Sequence, residues 1–433
     1  MKYFSTNRQS PEVSFRDATI QGQAPDKGLY FPGSLPAFNA QQIDQFGRMD
    51  EVEMGIQIMQ PYTGNDLPEP VLRDIIQQTL SFPIPLVHVS ESMYSLELFH
   101  GPTLAFKDVG ARFMSRCLGY FLRNESRKVT VLVATSGDTG GAVASGFLGV
   151  DGVDVVILYP SGKVSPVQEK QLTTAGQNIT AIEITGDFDD CQRLVKQAFN
   201  DEELTASLFL TSANSINVAR WLPQQLYYFL AWKQWPEKSQ PPVFVVPSGN
   251  FGNICAGLLA HVTGLPARHF VAGCNANNVV PEFLETGTYR SRPAIPTISN
   301  AMDVGDPSNF VRILELFRQQ YPLLKEGLSA FSFTDEQTLE EISRVYKEYN
   351  YLLDPHGAVA SLALSAYRQA EGGKGIILET AHPVKFPEPV ATATGKQPEI
   401  PTQIRYLMDR EKQAEKLSPG YGHFKEFLLS RSR

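Results

Sequence analysis

Lys107 ends an apolar run in the segment Phe99-His100-Gly101-Pro102-Thr103-Leu104-Ala105-Phe106-Lys107-Asp108. Burial disfavours the ammonium charge, so an amine placed there is held toward the neutral, nucleophilic form that condenses with a carbonyl. The plainer reading is a lysine whose stem covers apolar surface while its charge reaches water. Three further segments carry groups suited to a ligand: Ser136-Gly137-Asp138-Thr139-Gly140-Gly141, Ser248-Gly249-Asn250-Phe251-Gly252-Asn253 and Thr380-Ala381-His382-Pro383. Glycines let a backbone approach a ligand closely, and N–H groups that open a following helix favour an anion. Neither glycine loop has the spacing of a Walker loop or of a dinucleotide fingerprint. No carboxylate pair or His/Cys/Asp cluster has metal-ligand spacing, so no metal is expected.

Those loops need strands to end on and helices to begin. From Lys128 the chain alternates the apolar runs VTVLVAT, VDVVILYP and ITAIEIT with helical stretches starting near Asp138, Pro166 and Asp187. In FDDCQRLVKQAF the apolar residues Phe188, Cys191, Leu194, Val195, Ala198 and Phe199 recur at helical spacing behind a capping Asp187. A second set begins with PPVFVVP and continues through HFVAGCN and GIILETA. Nearly unbroken apolar strands between helices predict parallel sheets covered on both faces. Ligands in such sheets sit at the carboxyl ends of the strands, which is where all three loops fall. Before residue 100 the patterns are short and mixed, with helices expected near Ile43 to Arg48 and Pro70 to Leu80.

Composition narrows the class. The 433 residues include 42% hydrophobic and 19% charged residues, ordinary for a multidomain globular enzyme. A net charge of -8 argues against a nucleic-acid or anionic-membrane binder, both of which need surplus Lys and Arg. Cys117, Cys191, Cys255 and Cys274 are far apart and read as reduced thiols. Nothing resembles a secretory signal or a run long enough to span a membrane, so the expected location is the cytoplasm.

Taken in order, FHGPTLAFKD, SGDTGG, SGNFGN and TAHPVKF resemble the fold-type II pyridoxal-phosphate enzymes and, within them, the threonine synthases. APDKGLYFP, YPSGKVSPVQ, NSINVAR and MDVGDPSNF extend the resemblance over nearly the whole chain. It implies two open α/β domains with parallel sheets, like the β subunit of tryptophan synthase, and an N-terminal extension. The implied segments are 1–100 packing on the large domain, 101–213 as the smaller domain, and 214–433 as the large cofactor-binding domain.

By position, the resemblance gives Lys107 the Schiff base with pyridoxal 5'-phosphate. It gives Gly249, Asn250, Phe251, Gly252 and Asn253 the cofactor's phosphate, Asp138 a place beside its phenolic oxygen, and Thr380 its pyridine nitrogen. The substrate's phosphate falls to Thr135, Ser136, Thr139, Asn214 and Arg220. Lys163 is a further candidate that reads equally well as a solvated loop lysine. His100 and His382 are expected to shape the pocket, and His356 to be structural. DPHG at 354–357 departs from the commoner DPHT, and Asn278 stands where Asp is frequent.

The implied reaction converts the small molecule O-phospho-L-homoserine and water to L-threonine and phosphate, by a monomer or homodimer. A phospho-lyase releasing 2-oxobutyrate is one alternative. A catalytically silent paralogue with a binding role is another, though it should have lost the lysine or a loop, and this chain keeps them.

Overall fold

The computed structural model describes residues 1–125 and 128–431. A short antiparallel pair, β1 (Tyr3–Ser5) and β2 (Tyr30–Pro32), opens the chain, followed by the antiparallel hairpin β3 (Leu86–Ser90) and β4 (Met93–Glu97). Then come β5 (Val129–Ala134), β6 (Val153–Pro160), β7 (Ile179–Ile184) and β8 (Phe209–Ser212). These are followed by β9 (Val243–Pro247), β10 (His269–Cys274), β11 (Leu328–Ser332) and β12 (Gly375–Glu379), with β13 (Glu415–Leu417) near the end.

They assemble into a six-stranded sheet in the order β11-β10-β9-β12-β4-β3 and a five-stranded sheet in the order β13-β7-β6-β5-β8. Every pairing in the two sheets is parallel except β3 with β4. Side chains that alternate along a strand feed opposite faces. In the smaller sheet Val129, Val131, Val133, Val155 and Ile157 join a core with Val109, Phe113 and Cys117 of the helix Lys107–Leu122. Leu132, Val156, Leu158, Ile182 and Ile184 face the other way, onto Cys191, Leu194, Ala198, Phe424 and Leu428. Both faces are thereby covered, which is why these strands read as unbroken apolar runs.

The chain crosses between the sheets more often than three consecutive segments suggest. The β3–β4 hairpin, from the first hundred residues, lies at an edge of the larger sheet. Strand β13, from the last twenty, lies at an edge of the smaller one. The N-terminal residues pack Phe15 against Phe121 and Phe31 against Trp221, with ring centroids 6.1 and 5.7 Å apart.

Helices expected near Asp138, Pro166 and Asp187 occur as Asp138–Phe147, Pro166–Thr173 and Phe188–Asn200. Asp187 caps the last of these, accepting from Asp190 N at 2.9 Å. The helices placed near Ile43 and Pro70 occur as Ala40–Phe46 and Glu69–Thr79.

Candidate active site

Lys107 opens its helix directly after a strap tied to the loop beyond β12. Phe106 N donates to Thr380 O at 2.9 Å, His382 N donates to Leu104 O at 3.0 Å, and Ala105 bridges Ala381. Leu104 adopts a left-handed backbone (φ 58°), which turns the strap. Asp108 fixes its start, accepting from Thr103 N at 2.9 Å and Thr103 Oγ1 at 2.5 Å. From the other side the Tyr227 hydroxyl donates to the Phe106 carbonyl. Thus the strap that carries Lys107 is held by its own Thr103–Asp108 contacts and by two distant parts of the chain.

The residue as a whole is half-buried, and protein crowds its amine closely. Burial pushes its pKa down to about 8, helped by Lys385 and Arg220 and opposed by Asp138. Relative to an ordinary lysine this raises the neutral fraction near neutral pH on the order of a hundredfold.

Beside it, Asp138 is buried at the start of its helix. Its Oδ1 lies 2.7 Å from Lys385 Nζ and accepts from Gln168 Nε2 at 2.9 Å. Burial opposes its charge, but Lys385, Lys107 and the hydrogen bonds win, holding the carboxyl well below the usual carboxylate range. Gly137 has φ 140°, and a Cβ there would fall 2.5 Å from the Gln168 side chain, so the turn into this helix needs glycine. Thr135 Oγ1 accepts from Gly137 N and Gly140 N, both at 2.9 Å. Its hydroxyl therefore shapes the loop, while Ser136 and Thr139 remain half-buried at the surface of the site.

The next strand, β8, leads to Asn214 and Arg220. Their loop sits beside the Thr135 loop because β5 and β8 are neighbours in register. Arg220 is buried, and one guanidinium nitrogen donates to the Ala213 carbonyl, but its Nε has no partner among the described residues. Asn214 Oδ1 is likewise unpartnered. A Cβ at Gly110 would lie 2.7 Å from Arg220 O and 3.1 Å from its Nε. That glycine, one turn beyond Lys107, admits Arg220 against the helix. Burial pushes the Arg220 pKa down to about 10, which still leaves it a cation at neutral pH.

The loop after β9 is built differently. Phe251 takes a left-handed backbone (φ 57°) just before the helix Gly252–Val262. A Cβ at Gly249 would fall 2.5 Å from Met302 Cα, so backbone closes over that position. Asn250 Nδ2 donates to Ser215 Oγ at 2.6 Å, and its Oδ1 accepts from Ser308 N at 2.6 Å. Its side chain thus braces the loop. Asn309 Nδ2 donates to Asn250 O at 3.2 Å and Ser215 Oγ at 3.1 Å, and the fully buried Arg312 holds Asn309 Oδ1 at 2.8 Å. Asn253 Oδ1 accepts from Tyr228 OH at 2.8 Å, whereas its buried Nδ2 has no partner among the described residues. Unmet donors at a helix N-terminus fit an anion.

Lys163 stands apart, exposed on the turn after β6. The histidines serve the frame: His100 Nε2 lies 2.6 Å from Glu97 Oε2, and His356 Nδ1 lies 2.6 Å from Asp354 Oδ2. His382 Nδ1 accepts from Val384 N at 3.1 Å, and burial pushes its pKa down to about 4, so the ring is neutral. The unusual DPHG has a local reason: a Cβ at Gly357 would overlap Glu379 Oε2, at 1.5 Å. Lys385, Gln168, Thr103 and Tyr227 were absent from the expected site. Lys385 lies within TAHPVKF, so the motif was visible even though the pairing with Asp138 was not.

Comparison with known proteins places these residues in context. Residues 83–378 match the model described as "Pyridoxal-phosphate dependent enzyme". Residues 2–80 match "Threonine synthase N terminus", and 357–428 match "Threonine synthase, C-terminal". The chain is 42% identical over 431 residues to the threonine synthase of Escherichia coli, covering 99% of this chain and 100% of that protein. It is 35% identical to that of Saccharomyces cerevisiae, covering 90% of this chain and 88% of the other. Among solved structures, PLP-bound threonine synthase from Brucella melitensis superposes with a TM-score of 0.93 at 36% identity, all of both chains being covered. Maize serine racemase, at 15% identity and a TM-score of 0.53, shares the fold alone.

Proposed function

The chain belongs to the threonine synthase family of pyridoxal-phosphate enzymes, and we propose that it makes L-threonine and phosphate from O-phospho-L-homoserine and water, with Lys107 as its catalytic amine. The observation that carries the reading is a pair of buried, unmet donors, Arg220 Nε and Asn253 Nδ2, in separate loops. Two anion-seeking loops suit two phosphates, one on the cofactor and one on the substrate.

The residues fit pyridoxal phosphate: a depressed-pKa amine for its aldehyde, and a glycine-lined helix N-terminus for its phosphate. Gly249, Asn250, Phe251, Gly252 and Asn253 would hold that phosphate, chiefly through backbone N–H groups and the Asn253 amide. Thr380 would serve the ring nitrogen and Asp138 the phenolic oxygen. When bound, the cofactor supplies an electron sink for the substrate's α-carbon.

Lys107 does the proton work, removing a proton at the α-carbon and returning one later in the cycle. Arg220 holds the substrate phosphate together with Asn214, Ser136 and Thr139, and stabilises the charge that develops as that phosphate leaves. Thr135 keeps this loop in shape, and Lys163 joins only if the turn after β6 closes over the site. Water adds at the β-carbon once the phosphate has left. The four buried, free cysteines suit a reducing compartment, so we place the enzyme in the cytoplasm, as a monomer or homodimer. Among the described residues no helix is long and apolar enough to cross a membrane.

The test is an end-point assay of cofactor-loaded protein with O-phospho-L-homoserine, measuring threonine, 2-oxobutyrate and phosphate together. Threonine equal to phosphate is expected. Phosphate accompanied by 2-oxobutyrate would make the protein a phospho-lyase, and no phosphate release would overturn both readings.

A further inference from the structure

Lys385 has no part in the reaction as described, yet its side chain is completely buried in the pocket. Burying an ammonium is unfavourable unless each proton meets a partner. Of its three protons, one is directed to Asp138 Oδ1 at 2.7 Å and one to the Thr103 carbonyl at 2.7 Å. The third meets no acceptor among the described residues. The surrounding titratable and charged groups are Lys107 and Asp108 at the helix start, Asp138 on the adjacent helix, the neutral His382 three residues before Lys385, and Arg220 beyond Gly110.

Asp138, being ionised, can only accept hydrogen bonds. An ionised phenolic oxygen can only accept as well. Two such groups set side by side repel, and no hydrogen bond can form between them. A proton donor belonging to the same cluster removes the conflict.

We propose that Lys385 is that donor: the Asp138–Lys385 pair faces the cofactor's phenolic oxygen as one neutral unit, with Lys385 donating its third proton. This rests on the placement of Asp138 beside that oxygen. Gln168 and Thr103 aim the pair by holding one member each, and an Asn amide, which carries a donor and an acceptor, could replace the pair.

The test follows the visible absorption of bound pyridoxal phosphate against pH in wild type, K385M, K385R and the double variant K385M/D138N, with melting temperatures alongside. Loss of the cation and of the donor both favour the protonated form of the linkage to Lys107. The titration midpoint of K385M should therefore rise by about one pH unit or more. K385R keeps a cation and should titrate near wild type. The double variant, which has an amide at 138, should return to within about half a unit of wild type. A purely structural role would lower the melting temperature of K385M and leave its midpoint unchanged, which would overturn the proposal. If K385M does not fold, a midpoint displaced by about a unit or more in the double variant does the same. A wild-type protein with no visible band would instead refute the cofactor site itself.

Discussion

The loops after β5 and β9, the two proposed phosphate sites, are built to different degrees of rigidity. In the β9 loop, Asn250 is braced by Ser215, Ser308 and Asn309, with the buried Arg312 behind them. In the β5 loop, Thr135 folds the turn and Gln168 touches Asp138, while Ser136 and Thr139 stay half-buried. A resident cofactor rewards a preformed site, because ordering it on binding would weaken affinity. A substrate that enters and leaves with every turnover is better served by groups that can close on it. The contrast in bracing is thus what one expects of one phosphate that stays and one that goes.

The severest test of that division is Lys107→Ala, since in the proposed reaction Lys107 serves both cofactor and substrate. Turnover should fall on the order of 10⁴-fold and the visible band of the bound cofactor should disappear, as threonine assay and absorption spectra would show. Retained turnover would remove the basis of the comparison.

Arg220→Ala should separate the loops. We expect kcat/KM for the phosphorylated substrate to drop by roughly 10²- to 10³-fold, with cofactor affinity changed only a few-fold. Lys should restore little of the loss, because it lacks the paired donors of a guanidinium. Equal damage to cofactor and substrate would mean that the loops do not divide the work.

The mirror experiment is Asn309→Ala, which removes a brace of the β9 loop without touching the β5 loop. Losing those hydrogen bonds should weaken cofactor binding about tenfold in an equilibrium titration and leave KM nearly unchanged.

The mildest probe is pH. Cofactor capture needs the neutral amine, and the Lys107 pKa is depressed to about 8. The capture rate should therefore fall about tenfold per unit below pH 8 and level off above it. A midpoint near 10.5, the ordinary lysine value, would show that the pocket does not desolvate the amine.

Much of this was readable from residues in order. The strands of the smaller sheet announced themselves because helices cover both faces, leaving no polar alternation to confuse the reading. The helix at Phe188 was legible through its spacing and its Asp187 cap. Lys107 and both glycine loops were found because each lies just after or just before a regular element.

What escaped depends on distance along the chain. Lys385 meets Asp138 across 247 residues (385 − 138), and nothing in HPVKF marks a lysine buried to its tip. The bracing role of Asn250 rests on Ser215 and Ser308, whose approach only the tertiary fold brings about. β13 is three residues of mostly exposed, charged sequence, recognisable as a strand only beside β7. The significance of Gly357 became apparent only once Glu379 was seen to fill the space a side chain would need.

Thr380, Lys385 and β13 all follow residue 378, where the general cofactor-enzyme match ends. A ribosome delivers these pieces after Lys107 and both glycine loops have already emerged. Strands β5 to β8 can then pair early, but the larger sheet waits for β12 to join β9 to β4, and the free edge of β7 stays uncovered until β13 has emerged. Loading with pyridoxal phosphate is accordingly expected only after Thr380 and Lys385 have emerged. A product terminated near residue 378 would keep its reactive amine while exposing a bare strand edge, and its fate would be aggregation or proteolysis rather than slow catalysis.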